Sequence, residues 1–195
     1  MMAKKEPDDA GASIVWQLER LSRLVRASEH EDGLNPAQWE ALRYLARANR
    51  FSNSPGALTR YLGATKGTIS QTVKALERKG HVMKTERPGE KRSIVLSLTE
   101  KGHEALVRDP WARLADGADA IGGKTRRRMV KGLRELLNAE LVRGEHPTFG
   151  VCATCRYFRE KGRSGDPAGP HLCMLMEEPL SKAESRQICS EHAMT

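Results

Sequence analysis

One stretch limits the rest of the chain more than any other. Thr65 to Gly80 reads Thr-Lys-Gly-Thr-Ile-Ser-Gln-Thr-Val-Lys-Ala-Leu-Glu-Arg-Lys-Gly. Ile69, Val73 and Leu76 recur at i, i+4 and i+7, which makes one side of a helix apolar. The other side carries Lys66, Ser70, Gln71, Lys74 and Arg78, all hydrogen-bonding and none acidic. Thr65 suits an N-cap, and Gly80 suits a left-handed close. Such a helix fits a DNA major groove, and it equally fits an ordinary amphipathic surface. Its neighbours in the chain tilt the choice.

Upstream, Asn35 caps and Pro36 starts a helix whose Trp39, Leu42 and Leu45 share a side, ending near Ala48. Ser54 and Pro55 open a short third helix with Leu58, Tyr61 and Leu62 inward, and Gly63-Ala64 breaks it before Thr65. Two short helices joined by a tight Gly turn, the second with a bare polar face, have the layout of a helix-turn-helix. After Gly80 the period changes. His81 to Glu86 reads as a strand, and Ile94, Leu96 and Leu98 alternate in a second. Between them Pro88-Gly89 makes a turn crowded by Arg87, Lys91 and Arg92, so a cationic hairpin follows the polar helix.

The flanks are helical as well. Ile14, Leu18, Leu21 and Val25 predict a first helix over Ser13 to Ser28, its apolar face wide for a lone surface helix. Thr99-Glu100-Lys101-Gly102 starts a fifth helix, which Pro110 must end or kink although Trp111, Leu114, Ala118 and Ile121 keep the period. Lys124 to about Arg143 is a last long helix with Met129, Leu133, Leu136, Leu137 and Leu141 on one side. A small core offers these faces little to pack on, and a two-fold dimer explains them more economically.

Charge divides the chain in two. Residues 1–144 hold 27 Lys and Arg against 18 Asp and Glu, whereas residues 145–195 hold 6 against 7. The basic part is the one with the polar helix, which favours a polyanionic partner. No apolar run approaches a membrane span, and Met1 to Gly11 is charged, so the expectation is a cytoplasmic protein with no membrane partner. Three segments are expected: a disordered lead-in at 1–12, a winged domain at 13–143 and a cysteine-rich extension at 144–195.

At this point the sequence resembles the MarR family of transcriptional regulators over roughly residues 13–143. The resemblance rests on Leu34-Asn35-Pro36-Ala37-Gln38-Trp39, on Leu76-Glu77-Arg78-Lys79-Gly80-His81-Val82, and on the wing running into Leu98-Thr99-Glu100-Lys101-Gly102. Where the family usually has Asp-x-Arg in the wing, this chain has Glu90-Lys91-Arg92, keeping a carboxylate that can orient the arginine. The fold class implied is mainly α with a small β-hairpin wing (α+β), a winged helix-turn-helix with long N- and C-terminal dimerisation helices and a small Cys-rich tail. The resemblance further implies a homodimer interlocking through its first, fifth and sixth helices, on a pseudo-palindromic operator in double-stranded DNA. Repression is the commoner outcome in the family, and many members bind a small-molecule effector. Expected DNA contacts sort by role. Thr65, Lys66 and Thr68 sit in the first turn, where phosphate is held. Ser70, Gln71 and Lys74 are placed for base edges, with Gln71 able to pair bidentately with adenine. Arg87, Lys91 and Arg92 suit a narrow minor groove or its phosphates.

All four cysteines lie beyond residue 150, as Cys152-Ala-Thr-Cys155, His171-Leu-Cys173 and Cys189-Ser-Glu-His192. Clustered cysteines in a cytosolic chain point to a metal or redox site rather than to disulfides. The tail is too small and polar to build a core, so bound metal would supply folding energy. The expected ligands are Cys152, Cys155, Cys173 and Cys189, with His171 and His192 as alternates. Zn²⁺ is the default for four thiolates, and an iron–sulfur cluster is the rival that would make the tail a redox or iron sensor. Enzyme readings fare worse. A thioredoxin-like pair needs a βαβ setting, and no Gly-x-Ser-x-Gly elbow is present. Non-specific nucleic-acid binding remains conceivable from charge alone.

Overall fold

The computed structural model describes residues 9–30, 33–87 and 90–194, with the backbone alone at 87 and 90–92. The described elements run α1 (Ala10–Ala27), α2 (Pro36–Arg47), α3 (Pro55–Leu62), α4 (Lys66–Arg78), β1 (Val82–Arg87), β2 (Glu90–Leu98), α5 (Glu100–Val107), α6 (Pro110–Ala120) and α7 (Gly123–Arg143). Three short strands follow: β3 (Phe158–Arg159), β4 (His171–Cys173) and β5 (Glu178–Leu180). The chain is thus mainly helical with a small antiparallel hairpin, as the pattern of periods implies.

Caps explain the helix starts. Asn35 accepts from the Gln38 N–H while the Gln38 side chain accepts from the Asn35 N–H, a reciprocal capping box ahead of Pro36. Ser54 accepts from the Ala57 N–H at 3.2 Å, and Gly63 closes α3 at φ +60°. One boundary differs from the sequence reading. The first helix begins at Ala10 rather than Ser13, because the Ser13 N–H donates to the Asp9 carbonyl and carries the helix across Gly11. Ala10 to Ala12 are therefore helical and not part of a disordered lead-in; residues 1–8 lie outside the described residues. Of the two outcomes expected at Pro110, an end or a kink, the structure takes the end: α5 stops at Val107 and Pro110 starts a separate helix. Asp109 caps it through the Trp111 N–H, and Pro110 sits where its missing N–H does no harm.

The core gathers Trp39, Leu42, Tyr44 and Leu45 of α2, Leu58 of α3, Ile69, Val73 and Leu76 of α4, and Val82 and Leu96 of the hairpin. β1 and β2 pair from Val82–Leu98 to Glu86–Ile94, with the register shifting between Glu86 and Arg87. The Pro88-Gly89 turn and the side chains of Arg87, Lys91 and Arg92 lie outside the described residues.

The tail departs from expectation by docking. β3, β4 and β5 form an antiparallel sheet in that order. Ile188 is buried within the winged-helix core itself, and Phe149 packs against it. Burying one such side chain contributes roughly 2 kcal/mol. Backbone bonds hold it there: the Ile188 N–H donates to the Arg47 carbonyl at 2.6 Å, and the Asn49 N–H donates to the Ile188 carbonyl at 2.9 Å. Tyr44, Tyr61 and Phe149 form a three-ring cluster, with centroids 4.6 to 6.1 Å apart. Arg50 pairs with Glu184, and Arg60 with Glu191 at 2.9 Å. The extension thus borrows a core instead of building one.

Two helices are left uncovered. α7, 21 residues long, buries none of its side chains, and Met129, Val130, Leu133, Leu136 and Leu137 are exposed. α1 buries Val25 and exposes Ile14, Val15, Trp16, Leu18, Leu21 and Leu24. No described helix is long and apolar enough to cross a membrane.

Candidate functional site

Apolar anchoring sets the pose of α4. Ile69, Thr72, Val73 and Leu76 are buried, which leaves Lys66, Thr68, Ser70, Gln71, Lys74 and Arg78 exposed along one side. Lys66, Lys74 and Arg78 make no ion pair with any described residue. The acidic Glu77 is exposed too, and it is neutralised by Lys84 of β1 at 2.6 Å. In the first turn Thr65 accepts from the Thr68 N–H at 3.1 Å, and the two hydroxyls lie 2.9 Å apart. That cap occupies the Thr68 N–H, which leaves the Lys66 and Gly67 N–H groups and the Lys66 ammonium to meet a phosphate. A groove of about 430 Å³ runs beside this face, walled by Pro55, Thr59, Lys66, Ser70, Lys84 and Ile94.

Thr99 ties the base of the wing to the end of α4. The Thr99 hydroxyl accepts from the Gly102 N–H at 3.1 Å, capping α5, and donates to the Gly80 carbonyl at 2.6 Å. Its N–H donates to the His81 carbonyl at 3.1 Å. A Cβ on Gly102 would sit 2.3 Å from that same carbonyl, so only glycine permits this approach. Lys79 adds a second tie, donating to the Gly33 carbonyl at 2.6 Å and to Gln38 Oε1 at 2.8 Å. His81 is buried in this junction with Nδ1 3.4 Å from the Lys101 carbonyl. Burial outweighs the bond to the Lys101 carbonyl and, with the nearby charges of Lys101, Lys79 and Arg108, holds its imidazole below the usual histidine range. It is neutral at pH 7.

The four cysteines come from three stretches of the tail and line one cavity of about 20 Å³. Phe51, Tyr157, Phe158, Leu175, Met176 and Leu180 supply apolar walls, and Asn49 and Glu191 are its other polar neighbours. All four are free thiols, and Cys152 is buried. Burial and the three neighbouring thiols push the Cys152 thiol up to about 12, so by itself it stays protonated. Among the described residues no three His, Cys, Asp or Glu side chains stand together as ligands of one ion. The alternates do not line the cavity either. His171 Nδ1 accepts from the Lys161 N–H, and its ring lies against Phe158. His192 Nε2 is held by Thr154, and burial lowers the pKa of its imidazole.

Residues 32–93, from the loop before α2 through the hairpin, match the MarR family model. This segment belongs to the MarR family. The MarR-family segment is also what the curated relatives share. Transcriptional repressor MprA of Escherichia coli (strain K12) is 30% identical over 89 residues, 46% of this chain and 48% of that protein. The HTH-type transcriptional regulator YdcH of Bacillus subtilis (strain 168) is 34% identical over 73 residues, 37% of this chain and 50% of that one. The chain therefore spans about half the length of the curated relatives it matches. Among solved structures, a MarR transcriptional regulator from Methanosarcina mazei Go1 superposes with a TM-score of 0.54 at 20% identity, over 69% of this chain and 98% of the other. That likeness carries the fold, and it leaves nearly a third of the present chain without a counterpart.

Within this MarR-family frame a polar node joins the flanking helices to α2. Arg43 donates to Glu29 at 2.8 Å and to Asp109 at 3.0 Å. Trp111 Nε1 donates to the same Glu29 oxygen at 3.1 Å, and Trp39 Nε1 donates to the Glu29 carbonyl at 3.0 Å. Sequence reasoning missed this node, because its members lie up to 82 positions apart. The only signal was a lone arginine on the apolar side of a predicted helix.

Proposed function

We propose that the chain is a homodimeric, sequence-specific DNA-binding transcriptional regulator of the MarR type, acting as a cytoplasmic repressor and not as an enzyme. The observation that carries this reading is the exposed side of α4. Its exposed cations and amide stand clear of the core, while Ile69, Val73 and Leu76 hold the helix in place. Ser70, Gln71 and Lys74 then read base edges in the major groove. Lys66 and the first turn position the helix on phosphates. Arg87, Lys91 and Arg92 reach the flanking minor groove. The uncovered faces of α1 and α7 support a two-fold partner, which places two copies of α4 on a pseudo-palindromic site.

Selection from a random DNA pool, followed by sequencing and titration at fixed salt, tests the reading. A palindromic consensus bound at least ~10³-fold above scrambled DNA is expected. Equal affinity for every sequence replaces the regulator by a general nucleic-acid binder. Sedimentation supplies the dimer's test: a monomer at micromolar concentration removes the two-fold arrangement.

A further inference from the structure

We propose that Cys152, Cys155, Cys173 and Cys189 hold an iron–sulfur cluster, and that loading it moves the loop between α2 and α3; the consequence for DNA rests on the regulator reading above.

The first argument is the shape of the thiol set. One zinc ion draws four thiolates to about 2.3 Å from a single point and leaves no space among them. Here the four thiols surround a cavity of about 20 Å³, room for one or two waters, and no three donors meet at one point among the described residues. A cluster bonds each thiolate to iron with sulfides between the irons, so its ligands stand around a volume. Each thiol gives up its proton as its iron–sulfur bond forms. Phe51, Leu175 and Leu180 make the walls of the site apolar.

The second argument is an unpartnered donor. Asn49 is 1% exposed and lines the same cavity. Its Oδ1 accepts from the Phe51 N–H at 3.1 Å and from the Ser52 hydroxyl at 2.8 Å, yet its Nδ2 is buried with no acceptor among the described residues. Sulfide and thiolate sulfurs are the acceptors that this amide lacks, and such bonds tune a cluster's potential.

The third argument links the site to the reading helices. Asn49 and Phe51 belong to the α2–α3 loop, not to the tail. The Ser190 N–H donates to the Ser52 hydroxyl at 2.7 Å, one residue past the ligand Cys189. The Leu96 N–H of β2 donates to the Asn53 carbonyl at 2.7 Å, and Ser54 caps α3. Because Asn49 and Phe51 wall the cavity, a group seated there bears directly on this loop, and through the Ser52 and Asn53 bonds on the base of the wing and the start of α3.

The test uses the full chain purified anaerobically. Expected are a brown protein with iron and acid-labile sulfide, visible absorption lost on chelation and restored with ferrous iron and sulfide. A colourless protein with one zinc per chain overturns the cluster. Hydrogen exchange across residues 48–62 is expected to differ between loaded and stripped protein, and equal exchange overturns the coupling. DNA affinity is expected to change about tenfold between the two forms. Failure of both forms to select any DNA sequence overturns the regulator reading alone, since metal content and exchange are read without DNA. Cys155→Ser is expected to lose the cluster. Asn49→Asp keeps the Oδ1 acceptor but removes the amide N–H, and should retain the cluster at a more negative reduction potential. An unchanged potential removes Asn49 from the site.

Discussion

Arg43→Met tests the node that joins α1, α2 and α6. The Arg43 side chain is 21% exposed, and its guanidinium sits between a Glu29 side chain that is 1% exposed and an Asp109 side chain that is 8% exposed. Removing it leaves two carboxylates buried together without a cation. Breaking a buried pair costs about 3–5 kcal/mol, and the partial exposure of Arg43 places this case near 3 kcal/mol. For a chain of this size that is a fall of about 6–12 °C in Tm. Thermal and urea unfolding at fixed protomer concentration measure it, with an unchanged m-value showing that the unfolded state is unaffected. Adding Glu29→Gln should recover part of the loss, because the two residues share one interaction. A loss below about 1 kcal/mol for Arg43→Met, or full additivity with Glu29→Gln, would show that water already screens the node.

Four further outcomes follow from the geometry. Gln71→Ala should change base preference at one position of each half-site, and equal weakening on all sequences would remove its base-reading role. Arg92→Ala should weaken binding and lower the salt slope by about one counterion, and an unchanged slope would take the wing off the DNA. Gly102→Ala should cost about 1–3 kcal/mol in urea unfolding, because the added carbon meets the His81 carbonyl; a neutral variant would mean that the junction gives way. Because the folded-state pKa of His81 is lowered, the unfolded chain takes up a proton that the folded chain refuses. The stability His81 contributes is thus present above about pH 6.5 and lost as pH falls below it, and His81→Gln should flatten that slope.

Much of the winged unit was legible because local signals agreed. Asn35-Pro36, Ser54-Pro55 and Thr65 each marked a helix start that the backbone adopts, and Gly63 takes the left-handed close between α3 and α4. The spacing of Ile69, Val73 and Leu76 alone separates the buried from the exposed side of α4. Helix propagation across Gly11 was not legible, since one glycine weakens a helix without forbidding it. Pro110 was ambiguous for a related reason. A proline both ends one helix and starts the next, and the Asp109 cap decides which.

The tail divides along the same line. Sequence alone determined that four cysteines share one segment, that the segment differs in charge from the rest, and that α1 and α7 have apolar faces needing cover. These follow from composition and from periods within single elements, which need no partner to be read. Tertiary structure alone decided that Ile188 enters the winged-helix core and that Asn49 and Phe51 wall the cysteine cavity. It also showed Glu29, Arg43 and Asp109 to be one buried cluster. Each joins residues tens of positions apart through burial, and burial depends on how the elements pack together.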